Sequence, residues 1–143
     1  LLSYNSKPGG GTTDYAIEIF EKAVKHESFE CFLSENTALP MMYMDDAIRA
    51  TIEIMEASAE KIKIRSSYNV SGISFTPKEL ENGIKNKYED FKVIYQPDFR
   101  QKIADSWPDS IDDSEAKKDW NWRKKYTLEK IINKMLKGMS EIG

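Results

Sequence analysis

Ala16, Ile17, Phe20 and Val24 recur three and four residues apart, the spacing of one face of an α-helix. The pattern predicts a helix to about Lys25, entered from a loop. That loop, Asn5 to Gly11, holds Lys7-Pro8 and three glycines, Gly9-Gly10-Gly11, which regular structure does not accommodate. Thr12 or Thr13 is the expected N-cap, its hydroxyl accepting an orphan backbone N–H. Ile48, Ile52 and Met55 stripe a second helix, expected to start at Asp45 or Asp46 as cap and to run to about Ala57. Thr76-Pro77-Lys78-Glu79 predicts a third, ending near Lys87: Thr caps, Pro takes the first helical position and Glu completes a capping box. Phe99 to Ala104 reads as a short helix. Asp112 with Glu115 repeats the capping-box spacing and opens a helix to about Trp120. Leu128, Ile131, Ile132, Met135 and Met139 stripe the last helix.

Between these helices the apolar runs are short. Leu1 to Tyr4 reads as the end of a strand, and Phe29 to Leu33, Pro40 to Tyr43 and Lys92 to Gln96 as strands. Lys61 to Arg65 alternates with period two, predicting a half-exposed strand, and Tyr68 to Val70 and Ile73 to Phe75 flank Gly72 as two more. Helices alternating with short strands predict an α/β or α+β chain. The strands are few and short for an independent doubly wound sheet, so a lobe built to pack on something larger is expected. A start inside a strand, on Leu rather than Met, leads to the expectation that the chain is truncated.

At 143 residues the chain is expected to be one domain with a real core. Its net charge of -3 gives no electrostatic reason to expect nucleic acid or an anionic membrane as partner. No apolar stretch approaches the ~20 residues of a membrane span, and no secretory leader pattern opens the chain. Cys31 is the lone cysteine, in the apolar run Phe29 to Leu33. A buried inert thiol in a reducing compartment is expected.

Chemical motifs are sparse. A dinucleotide site needs G-x-G-x-x-G between a strand and a helix so that the backbone can approach a pyrophosphate. Gly9-Gly10-Gly11 does not meet that pattern, and no Gly-Lys-Ser/Thr follows. Two readings of the loop stand: a flexible turn, or an anion site where helix amides and two hydroxyls meet a carboxylate or phosphate. Tyr88 and Lys92 match Tyr-x-x-x-Lys but straddle a helix–strand junction. Tyr126 and Lys130 match it without an upstream Ser partner, so neither pair is expected to be catalytic. His26, the only histidine, reads as a solvated helix end favoured by the dipole. One His and one Cys cannot make a zinc site, and Asp45-Asp46 and Asp112-Asp113 read as helix caps. Trp107, between Ser106 and Pro108, is either a packing anchor or a lid over a small pocket. Trp120 and Trp122 read as structural, and Met41, Met42 and Met44 as core filling.

Three runs together carry a resemblance: Gly9-Gly10-Gly11-Thr12-Thr13-Asp14-Tyr15-Ala16, Leu39-Pro40-Met41-Met42-Tyr43-Met44, and Asp98 to Pro108. In this order and spacing the chain resembles the C-terminal half of short-chain L-threonine 3-dehydrogenases, extended short-chain dehydrogenases related to the sugar-nucleotide epimerases. The likeness runs from Leu1 to about Leu136. It implies a fold: the end of a Rossmann-type sheet (residues 1–4) followed by a small mixed α/β substrate-binding lobe, with the nucleotide-binding half absent. It implies NAD as cofactor, bound mainly by that missing half, with Leu1 against the nicotinamide. L-threonine is the implied substrate, with Gly11, Thr12 and Thr13 holding its carboxylate or orienting its hydroxyl, Asp14 attracting its ammonium and Trp107 closing over it. No catalytic residue is expected within the chain and no metal. The intact protein is expected to be a homodimer or higher homo-oligomer, cytoplasmic, or mitochondrial in a eukaryote. Two alternatives stay open: the equivalent lobe of a sugar-nucleotide epimerase or dehydratase, although Arg49, Arg65 and Arg100 form no pattern selecting a diphosphate, and a stand-alone small-ligand binding module.

Overall fold

The computed structural model describes residues 1–142. Its elements, in chain order, are α1 (Tyr15–Val24), β1 (Phe29–Cys31), β2 (Leu39–Met41), α2 (Met44–Glu56), β3 (Ile73–Phe75), α3 (Pro77–Lys85), β4 (Val93–Tyr95), α4 (Arg100–Asp105), α5 (Ser114–Trp120) and α6 (Leu128–Ile142). β1 and β4 pair in parallel, with Phe29 opposite Val93 and Cys31 opposite Tyr95. β2 and β3 pair antiparallel, Leu39 opposite Phe75. Near the start of the chain Leu2 makes a single parallel bridge to Tyr43, donating its amide to the Met42 carbonyl at 2.8 Å and accepting from Met44 N at 2.8 Å. This is a mixed α/β architecture.

Two cores follow from the apolar stripes. In the larger, α1, α3 and α6 pack on one another, and α1 also packs on β1. Ile19 and Phe20 of α1, Leu80 and Ile84 of α3, and Ile131 and Met135 of α6 are all fully buried there. The smaller gathers Met42, Ala50, Ala116, Trp120 and Trp122 between α2 and α5. Buried Asp46 ties α2 to the strap before α6: its carboxylate accepts Lys125 N at 3.0 Å, Tyr126 N at 3.1 Å and Arg49 Nη2 at 2.8 Å. Arg49 also donates to Glu53 and to the Arg123 carbonyl, and its guanidinium lies 4.5 Å from the Trp122 ring centroid.

The Thr76 capping box forms as its sequence dictates. Glu79 N donates to Thr76 Oγ1 at 3.2 Å, and Thr76 N to Glu79 Oε2 at 2.8 Å. Other starts differ. α2 is capped two or three residues earlier than expected, with Tyr43 as N-cap and Asp45 and Asp46 inside the first turn. α5 has Asp113 as N-cap and no capping box: Asp112 accepts Ser114 N at 2.9 Å rather than the Glu115 amide, and the Asp113 carboxylate turns to Ser71 N and Lys117.

Residues 61–65 form no strand. The Tyr68 hydroxyl accepts the amides of Lys63 (3.0 Å) and Ile64 (3.1 Å) and donates to Asp119 at 2.7 Å. One side chain thereby supplies the partner that a neighbouring strand would have supplied. Residues 68–70 are likewise outside any ladder, and the segment is held by Trp122 Nε1 donating to the Ser71 carbonyl at 3.0 Å. Gly72 is there for close approach: a Cβ would sit 2.9 Å from Met42 Cα and press on the Met41 carbonyl. The Ile48, Ile52, Met55 face of α2 is not core. These residues are 53%, 49% and 78% exposed, while Ala50 packs inward and Asp46 is buried by hydrogen bonds. No helix among the described residues is long and apolar enough to cross a membrane.

Candidate functional site

The glycine loop is closed by its own carboxylate. Asp14 Oδ2 accepts the Gly9 amide at 2.6 Å and the Gly11 amide at 2.9 Å, while Asp14 N donates to the Gly11 carbonyl at 3.1 Å. Gly10 supplies the bend with φ +90°, a conformation glycine takes without steric cost. The expected cap at Thr12 or Thr13 gives way to this arrangement. Asp14 is the N-cap residue of α1, it has helical backbone angles, and no side chain caps the helix. Two loop amides that an external anion would have used already face an internal anion. The loop is therefore not a pyrophosphate cradle, and the Gly11 N–H is not free to hold a ligand carboxylate.

Thr12 is buried, Thr13 and Asp14 are half-buried, and Gly11 is exposed. Asp14 is fastened through Oδ2. Behind the loop, Tyr15 stands edge-on to Phe32, with centroids 6.5 Å apart. The Arg100 guanidinium covers Phe32 at 3.2 Å and is held by Asp98, with Nη2 to Oδ2 at 2.6 Å and Nε to Oδ1 at 3.1 Å. That ion pair raises the Arg100 pKa and lowers that of Asp98, and the charges of Glu18 and Asp14 also act on Arg100. Burial raises the Glu18 carboxyl above its ordinary range, with Arg100 opposing. Phe32 and Arg100 thus join the N-terminus of α1 to that of α4.

Trp107 follows the C-terminus of α4, its amide donating to the Ala104 carbonyl at 3.0 Å. It is 42% exposed, on the same helical row as exposed Phe99 and Ile103. Leu1 is 64% exposed. It borders a cavity of about 430 Å³ between α2 and the 68–72 segment, with Met41, Met42, Ile54 and Trp120 in the wall. The structure brings Gly11, Thr12, Thr13 and Asp14 together in one turn, and the cavity that Leu1 borders is lined by none of them.

The remaining candidates have structural partners. Tyr126 donates to Asp45 at 2.5 Å and stacks on Tyr43 at 4.5 Å, and Lys130 donates to the Lys125 carbonyl. The hydrogen bond to Asp45 pushes the Tyr126 pKa up to about 12, the opposite of what a base needs. His26 occupies the left-handed position after α1 with φ 58°. His26 N donates to Ala23 O and Glu27 N to Lys22 O, a Schellman ending with His where Gly is usual. Burial pushes the Cys31 thiol up to about 11, which suits an inert packing residue. No cluster of metal-ligating side chains exists among the described residues.

Phe32, Arg100 and Gln101 were not legible as site residues. Arg100 and Gln101 lie in a run that carried the resemblance, but Phe32, Ser34 and Thr37, which they meet, are distant in sequence.

No family model matches the chain. The mitochondrial L-threonine 3-dehydrogenase of Bos taurus is 50% identical over 137 residues, 95% of this chain and 36% of that protein. A Staphylococcus haemolyticus protein described as an uncharacterized epimerase/dehydratase is 44% identical over 142 residues, 99% of this chain and 45% of that one. Among solved structures, the apo form of the GalE-like L-threonine dehydrogenase of Cupriavidus necator superposes with a TM-score of 0.90 at 54% identity. It covers 94% of this chain and 48% of its own. The chain thus spans less than half the length of these relatives. In sequence and in fold it matches the C-terminal part of GalE-like L-threonine 3-dehydrogenases.

Proposed function

We propose that this chain is the substrate-binding part of an NAD-dependent L-threonine 3-dehydrogenase. The reaction of the whole protein oxidises the threonine carbinol to the ketone of 2-amino-3-oxobutanoate, with NAD reduced to NADH and a proton released. The observation that carries the reading is the Asp14 carboxylate, anchored by the Gly9 and Gly11 amides at the mouth of α1, in a chain half identical to a threonine dehydrogenase.

A zwitterionic amino acid needs an anion for its ammonium and donors for its carboxylate and hydroxyl. Asp14, fixed through Oδ2, offers Oδ1 to the ammonium. Thr12 and Thr13 offer hydroxyls to the carboxylate or the reacting OH. Gly11 contributes by holding Asp14. Trp107 closes over the bound substrate and excludes water. Holding the reactant in one pose contributes up to about 7–11 kcal/mol to rate enhancement, and water exclusion strengthens the polar contacts.

The residues present do not fit a dinucleotide: the glycine cluster is filled by its own carboxylate, and Leu1 is the one residue that the resemblance sets against the nicotinamide. NAD and the proton-transfer residues would be supplied by the further length that relatives possess, and this chain by itself would be inactive. In the cell we place the protein in the cytoplasm, or in the mitochondrion of a eukaryote, as a homodimer or higher homo-oligomer. A protein of the relatives' length carrying this sequence should form NADH with L-threonine. Activity with a UDP-sugar and none with L-threonine would replace this reading by an epimerase.

A further inference from the structure

We infer that Gln101 is the positioning residue that sets the orientation of α4 and, through it, of Trp107; the inference rests on the lid role given to Trp107 above. The Gln101 side chain is the hinge pin between α4 and the turn after β1. Its Oε1 accepts the Ser34 amide at 2.8 Å, across 67 positions of sequence, and lies 3.3 Å from Thr37 Oγ1. Its Nε2 donates to Thr37 Oγ1 at 3.0 Å and to Asp105 Oδ1 at 2.6 Å. Ser34 and Thr37 are themselves joined, hydroxyl to hydroxyl at 2.6 Å and by Thr37 N to the Ser34 carbonyl at 3.2 Å.

These partners admit one orientation of the amide. The Ser34 N–H requires an acceptor, and the Asp105 carboxylate requires a donor. Only a carboxamide offers both in that geometry. A carboxylate of the same shape would face Asp105 oxygen to oxygen. α4 is six residues long and buries only Ala104. Packing alone holds such a helix weakly, and hydrogen bonds at one face can then decide its direction. At the first turn Arg100 pins the other side of α4 to Phe32. Trp107 is two residues beyond the helix, so a tilt of α4 at Gln101 moves the indole directly.

The test uses the 143-residue chain, labelled with ¹⁵N, and reads the indole N–H cross-peaks of its three tryptophans. Trp107→Phe assigns the peak of interest. Gln101→Glu is expected to shift or broaden the Trp107 peak while those of Trp120 and Trp122 stay in place. Adding Asp105→Asn restores a donor opposite the new carboxylate and should return the Trp107 peak to its original position. An unmoved Trp107 peak in Gln101→Glu, or no recovery in the double variant, would overturn the inference. Should Gln101→Glu fail to fold, Thr37→Val against Thr37→Ser decides: the first should displace the Trp107 peak and the second should not, and equal spectra would overturn it. No ligand is present in these spectra. L-threonine is added afterwards to a protein of the relatives' length, where an unresponsive Trp107 would sink the lid role and leave the positioning result standing.

Discussion

Tyr95 donates its hydroxyl to Glu81 Oε2 at 2.8 Å, fastening β4 to α3 through a carboxylate that is 3% exposed. Lys78 reaches the same oxygen at 2.9 Å and Lys85 reaches Oε1 at 2.6 Å. Burial alone would raise the Glu81 pKa. The hydrogen bonds from Lys85, Lys78 and Tyr95 outweigh it and hold the carboxyl below its ordinary range. A depressed folded-state pKa contributes stability that is present above the unfolded pKa and lost as pH falls through the folded one. Urea midpoints should therefore drop as pH falls from about 4 downward. Glu81→Gln should cost about 2 kcal/mol at neutral pH, a moderate figure because both lysines are partly solvated, and should flatten that acid limb. An unchanged pH profile in the variant would show that Glu81 does not couple folding to protons.

The loop lock predicts a second effect. Asp14→Ala removes the partner of two amides and should lower stability by about 1–2 kcal/mol. Asp14→Asn keeps an acceptor and should recover part of it. Proton exchange at the Gly9 and Gly11 amides should accelerate in Asp14→Ala, with α6 protected as before.

Asn121 ends α5 at φ 61°, a left-handed position where a Cβ is a burden. Asn121→Gly should raise the melting temperature, by no more than about 1 kcal/mol in stability terms. A lower melting temperature would mean that Asn121 makes a compensating contact.

Ile48, Ile52 and Met55 present an apolar ridge to solvent. Contiguous apolar surface promotes association. The chain should self-associate in sedimentation or light scattering, and Ile48→Lys with Met55→Glu should shift it toward monomer. A monodisperse, cooperatively melting parent chain would contradict this.

Local rules read much of the fold correctly. Thr76, Pro77 and Glu79 encode their helix start within four residues, and Ile131, Ile132 and Met135 mark the buried face of α6. The reading failed where a side-chain hydrogen bond or burial overrides the local pattern. Lys61 to Arg65 alternates like a strand, yet the Tyr68 hydroxyl takes its amides. The α2 stripe of Ile48, Ile52 and Met55 has helical spacing, yet inward-facing Ala50 and the hydrogen-bonded carboxylate of Asp46 set which face turns inward. At the candidate site the turn of Gly11 to Asp14 was visible as a cluster. Its internal carboxylate lock was not, because an acid at a helix start reads equally well as a partner of the helix dipole, and the Phe32–Arg100 bridge was not, because pairing across dozens of residues leaves no local pattern.

The central claim is that the α1 mouth reads L-threonine while the redox apparatus is held elsewhere. Steady-state kinetics of Thr13→Ala, in a protein of the relatives' length carrying this sequence, test it most directly. The account predicts a fall in kcat/KM for L-threonine of about tenfold or more, the loss of one hydrogen bond to a charged or reacting group, with the KM for NAD unchanged. Equal losses for both substrates, or no loss for either, would contradict it.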